Sequence, residues 1–159
     1  MVINAELFKN DQGAAPQLLL PKYLPIIRAC LGWTSSDLAE RIGVSRTTVS
    51  AFEKAGKENR EIELMPYLAI RKVLDDEIAQ KPDETEVLAA VIGALVDQLS
   101  NPSAEEKLEI CRKVLIMSKT IKKAPEERKA ASKAWGAYLI AGGVIVTGAI
   151  IALLKGKNT

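Results

Sequence analysis

Residues 27 to 54 read IRACLGWTSSDLAERIGVSRTTVSAFEK, and their punctuation decides the fold. Ile26, Ile27, Cys30 and Leu31 form an apolar face at helical spacing, with Pro25 suited to a first helical turn and Gly32 to the stop. Thr34-Ser35-Ser36-Asp37 is a capping box, in which hydroxyl and carboxylate satisfy backbone N–H groups that a first turn leaves unpaired. A second helix follows, turning Leu38, Ala39 and Ile42 inward and ending at Gly43, where a positive φ costs glycine little. Ser45 caps a third helix. Because Val49 and Phe52 share its buried side, Arg46, Thr47, Ser50, Ala51 and Lys54 fall on the opposite one. That outer face is small, polar and basic.

Working outward, residues 62 to 78 return to apolar periodicity through Leu64, Met65, Leu68, Val73 and Leu74, with Pro66 in a first turn. The core of this domain is expected to draw on Ile27, Leu38, Val44, Val49, Phe52 and Leu68. A helix from about 84 to 99 carries Val87, Leu88, Val91, Ile92, Leu95 and Leu99, and the turn Asn101-Pro102 leads to a second capping box, Ser103 to Glu106. The helix beyond it aligns Leu108, Cys111, Val114, Leu115, Ser118 and Ile121. Two such stripes predict an antiparallel hairpin, too thin to stand alone, that packs on the first domain or on a second chain.

The 159 residues have sparse aromatics and an apolar content carried by Ala, Leu, Ile and Val, which points to an all-α chain of small modules. The domains expected are an N-terminal arm (1–20), a helix-turn-helix domain (21–80), a helical hairpin serving dimerisation (83–124), a basic linker (125–133), a transmembrane helix (134–154) and a short tail (155–159). The net charge of +2 hides an uneven spread: about +3 over residues 22 to 60, about −6 over 61 to 101 and about +6 over the remainder.

Residues 134 to 154 carry no charge, and a helix of that length spans about 30 Å, the thickness of a bilayer's hydrocarbon core. Trp135 and Tyr138 suit one interface, Lys155 and Lys157 the other. Lys122, Lys123, Arg128, Lys129 and Lys133 precede the span, so the expected protein is tail-anchored, single-pass in the cytoplasmic membrane, with its N-terminal domain in the cytoplasm. Small residues at 134, 137, 141, 148 and 152 make a stripe compatible with helix pairing in lipid.

Catalysis and metal binding find no support. The chain has no histidine, no Gly-rich phosphate loop and no nucleophile elbow, and Cys30 and Cys111 lack the spacing of a metal pair. No catalytic residue, metal or cofactor is expected, and both cysteines are expected to be buried, reduced thiols.

The quoted segment resembles the Cro/repressor-type helix-turn-helix family (the XRE family) through Leu38-Ala39, Gly43, Val49 and Glu53, with a less specific likeness reaching to about residue 76. The resemblance implies a DNA-binding transcriptional regulator that meets double-stranded DNA as a homodimer. By it, Arg46, Thr47, Ser50 and Ala51 face base edges in the major groove, in agreement with the periodicity. Arg46 has the guanidinium fork that fits O6 and N7 of guanine, while Thr47 and Ala51 suit a thymine methyl. Thr34, Ser35, Lys54, Lys57 and Arg60 are implied as phosphate contacts. Ser35 stands where the family often has Gln, which shortens its reach. Arg28 and Glu53 are implied to form a structural ion pair. A prophage or other mobile element is the expected origin. Two alternatives stand beside this reading: a membrane adaptor of the RodZ type whose domain grips a protein, and a small membrane-active oligomer.

Overall fold

In a computed structural model, residues 4–118 are described. They form a 3-10 turn (Ala5–Phe8) and six α-helices: α1 (Pro16–Leu31), α2 (Ser35–Ile42), α3 (Arg46–Lys57), α4 (Leu64–Gln80), α5 (Glu86–Val91), which runs into a π turn (Ile92–Val96), and α6 (Ala104–Ser118). No strand occurs among the described residues. The expected span at 134–154 lies outside them, and no described helix is long and apolar enough to cross a membrane.

Helix α1 is the axis of the domain. Leu19, Leu20, Tyr23, Leu24, Ile26 and Ile27 are all fully buried, so the helix is apolar around most of its circumference, the signature of a core helix. Its neighbours are α3 on one side and α5, the π turn and α6 on others. The helix therefore begins at Pro16, nine residues ahead of the Pro25 that the sequence favoured as its start. Pro21 and Pro25 both lie inside it. A proline removes the N–H that would bond four residues back. The carbonyl freed by Pro21, that of Gln17, accepts instead from Ile62 N at 3.1 Å, and Gln17 Nε2 donates to the Ile62 carbonyl at 3.1 Å. Pro21 thus opens α1 to the loop that follows α3.

The segment read as an N-terminal arm is part of the core. Phe8 is buried and its ring stacks on that of Tyr23, 6.0 Å between centroids. Asp11 is 1% exposed. Its carboxylate takes Lys22 Nζ at 2.5 Å, the Tyr23 hydroxyl, and Lys107 Nζ of α6 at 3.6 Å. Gln98, just past the π turn, donates to the Asp11 carbonyl and accepts from Gly13 N at 3.3 Å. One buried carboxylate so ties the first residues, α1 and α6 together. A buried charge is tolerable when paired and hydrogen-bonded in this way. Burial, followed by the bond to Asp11, pushes the Tyr23 phenol far above its ordinary value.

The C-terminal helices differ from the expected pattern in detail. Both pack on α1, so of the two placements considered for them the first domain is the one observed. The buried stripe of α6 runs through Lys107, Ile110, Cys111, Val114 and Met117, rotated from the expected one; Leu108 and Leu115 are half-buried and Leu99 is 46% exposed. Ile121 lies outside the described residues.

On α4 the buried residues are Ile70, Leu74 and Glu77. At about 100° per residue, Leu64, Met65 and Leu68 fall well away from that face, and they are 54%, 73% and 46% exposed. Leu68 and Val44, at 37%, are therefore not core residues. Ile27, Leu38 and Val49 are fully buried and Phe52 is half-buried against them.

Candidate nucleic-acid interface

The start of α2 and the turn between α2 and α3 are built by local bonds. Thr34 Oγ1 accepts from Asp37 N at 3.1 Å and Asp37 Oδ2 accepts from Thr34 N at 2.7 Å, closing the capping box. Gly43 ends α2 at φ 75, and Ser45 Oγ accepts from Thr48 N to start α3. The capping box fixes where α2 begins, and Gly43 and Ser45 fix the turn by which α3 leaves it.

Helix α3 lies on α1 through Val49, Ala55 and Gly56. A Cβ at Gly56 would sit 2.5 Å from Lys22 Cα and closer still to Lys22 N and the Pro21 carbonyl carbon. Only glycine permits this approach. Arg28 of α1 locks the middle of α3: its Nε donates to Glu53 Oε1 at 2.7 Å and its Nη1 to the Trp33 carbonyl at 3.0 Å. Both side chains are more than four-fifths buried. Gly56 was not singled out from sequence, although an isolated glycine within a helical pattern usually has a packing reason.

With that side occupied, Arg46, Thr47, Ser50, Ala51 and Lys54 are all exposed. Arg46, Thr47 and Ser50 make no side-chain hydrogen bond or ion pair with any described residue, so the guanidinium and hydroxyls are unspent. The face is a projecting cation beside small side chains, a shape that can enter a groove and approach base edges.

The residues assigned to phosphates are placed less uniformly. Lys57 is exposed and unengaged among the described residues. Lys54 and Arg60 flank Glu58, with Lys54 Nζ at 4.0 Å and Arg60 Nε and Nη2 on Glu58 Oε2 at 2.8 and 2.5 Å. A phosphate must compete with that carboxylate. Both polar groups of Thr34 are spent on Asp37, whose carboxyl is held below its usual range by the Thr34 backbone N–H and then by its hydroxyl. A fixed negative charge therefore stands at the start of α2, which argues against Thr34 as a phosphate contact. Ser35 is half-buried in a groove that it shares with Thr34, Arg46 and Ser118.

Cys30 and Cys111 are buried free thiols. Among the described residues no cluster of His, Cys, Asp or Glu could hold a metal ion.

Residues 27–59 match the family model for the helix-turn-helix. The match begins in the last third of α1 and ends just beyond α3, so it spans the capping box, the Gly43 turn and the outward face of α3. This segment is a helix-turn-helix DNA-binding domain, and at that level the protein is a DNA-binding regulator of transcription. No curated protein and no solved structure matches the chain.

Proposed function

We propose that this protein is a sequence-specific transcriptional regulator held at the cytoplasmic membrane by a C-terminal span and binding DNA as a homodimer. The observation that carries the DNA reading is the unspent outer face of α3, with Arg46 projecting among Thr47, Ser50 and Ala51 while Val49, Gly56 and the Arg28–Glu53 pair hold the helix from behind. Arg46 reads guanine, Thr47 and Ala51 meet a thymine methyl, and Lys54, Lys57 and Ser35 contact phosphates. Anchoring rests on the uncharged run of residues 134–154 and the basic stretch before it. Pairing of two chains confined to a membrane would raise their effective concentration for two half-sites.

The adaptor reading draws on one observation, the exposed Leu64, Met65 and Leu68 at the start of α4, since clustered apolar side chains mark protein contacts. Selection of bound DNA from a random pool by the full chain in detergent decides between them. An enriched palindrome is the expected outcome, and a pool without enrichment rejects the regulator. Cell fractionation addresses the anchor: recovery in the soluble fraction without detergent or high salt would reject it.

A further inference from the structure

Beside Trp33, a cavity of about 250 Å³ lies between the helix-turn-helix and the C-terminal helices. Its polar walls include Asp37 and Arg41 of α2, Glu77 of α4, Lys81 just past the end of α4, and Glu84 of the turn before α5. Arg41 is posed rather than engaged. Its guanidinium lies 4.0 Å over the Trp33 ring and its nearest carboxylate oxygen, Glu77 Oε2, is 3.9 Å away, outside hydrogen-bond distance. Stacking occupies the face of the group and leaves the N–H donors at its edge, the set that fits a carboxylate. Glu77 is already answered by Lys81 Nζ at 2.7 Å. The Glu84 carboxylate accepts no hydrogen bond from a described residue.

The lining therefore offers an unspent donor fork and an unspent carboxylate in one small, partly open cavity, with Leu31 and Met117 supplying an apolar wall. A bare anion would enter among three carboxylates, and a bare cation would leave the Arg41 donors unmet. A molecule carrying both charges satisfies both. The volume is below the range of about 300–1,000 Å³ typical for drug-sized ligands, which limits the occupant to a small molecule. We propose that this cavity binds a free α-amino acid, its carboxylate on Arg41, its ammonium on Glu84 and Asp37, and a short side chain against Leu31 and Met117.

The site also touches the DNA interface. The Trp33 carbonyl holds Arg28, and Arg28 holds Glu53 in the middle of α3, so the cavity wall is two hydrogen bonds from the recognition helix. Occupancy would then alter DNA affinity, a consequence that rests on the DNA-binding reading, and by linkage DNA would alter amino-acid affinity equally.

The test uses the full chain in detergent with Trp135→Phe, which leaves Trp33 as the remaining tryptophan of the two in the sequence. Each common amino acid other than tryptophan and tyrosine is titrated to about 10 mM, ten times a Kd of about 1 mM, which corresponds to about −4 kcal/mol, with inorganic phosphate and putrescine as singly signed probes. At least one amino acid is expected to change Trp33 emission saturably. Arg41→Gln and Glu84→Gln, both at accessible positions and checked for folding by thermal melting, should each weaken it about tenfold or more, the loss expected for a charged hydrogen bond. The proposal is overturned if no amino acid saturates, if both variants retain the affinity, or if only phosphate or putrescine binds. No DNA is present in the titration, so its failure leaves the DNA reading untouched and failure of DNA binding leaves the titration interpretable.

Discussion

Replacing Gly56 with alanine separates two forces of opposite sign. Alanine is favoured over glycine in a helix by about 1 kcal/mol, so propensity alone predicts a more stable protein. The structure predicts the reverse, because the added methyl would lie 2.5 Å or less from the backbone of Pro21 and Lys22, where carbon atoms rest at about 3.5–4.0 Å. Backbone has no rotamer with which to step aside. The end of α3 must retreat from α1 by about 1 Å, loosening Ala55 and Val49 as it goes. Overpacking of this kind costs about 1–3 kcal/mol, and a rigid neighbour places it at the upper end, so a net loss of about 2 kcal/mol remains after the propensity gain. For a domain of this size that is a fall in Tm of about 10 °C. Urea unfolding followed by circular dichroism should show a lower midpoint at unchanged slope. DNA affinity should fall as well, since the tilt of α3 changes. A variant as stable as the parent, or more so, would refute the close approach of α3 to α1.

Other changes follow from the same geometry. Glu53→Ala should cost about 2–3 kcal/mol by leaving Arg28 unpaired, somewhat less than a fully buried pair because a little solvent reaches both groups; a loss under about 0.5 kcal/mol in the same denaturation would show that the pair is not structural. Burial pushes the Cys111 thiol up to about 12 from 9.0 and Cys30 higher, so neither should react with a thiol reagent at neutral pH until the chain unfolds, and rapid labelling of native protein would contradict their burial. Because these pKa values are raised on folding, their contribution to stability is full below pH 9 and is lost as pH rises towards 12; unfolding free energy measured between pH 8 and 11 should decline accordingly.

Much of the helix-turn-helix was legible because its signals are local. Thr34, Asp37, Gly43 and Ser45 act within a turn of their own positions, and one buried residue, Val49, fixes which side chains of α3 point outward. What escaped the sequence depends on distant partners. Asp11 reads as a solvated charge until Lys107 of α6 is brought beside it, and the start of α1 was hidden because Pro21 and Pro25 look like helix beginnings unless Ile62 is known to take the freed Gln17 carbonyl. The periodicity of α4 misled for a different reason: Leu64 and Met65 are apolar at plausible spacing, yet the helix turns Ile70, Leu74 and Glu77 inward. Among the site residues, the phosphate contact expected of Thr34 competes with its own cap, in which both the N–H and the hydroxyl are engaged by Asp37.

The central claim is that the outward face of α3 reads base sequence, and Arg46→Ala tests it most directly. Arg46 has no structural partner among the described residues, so its loss should leave stability unchanged while removing about 1–3 kcal/mol of discrimination at one base pair of each half-site. Parent and variant are compared at fixed salt on the selected operator and on its single-base variants. The account predicts that the variant binds the operator more weakly and no longer distinguishes guanine at that position. Unchanged affinity and unchanged preference would contradict it.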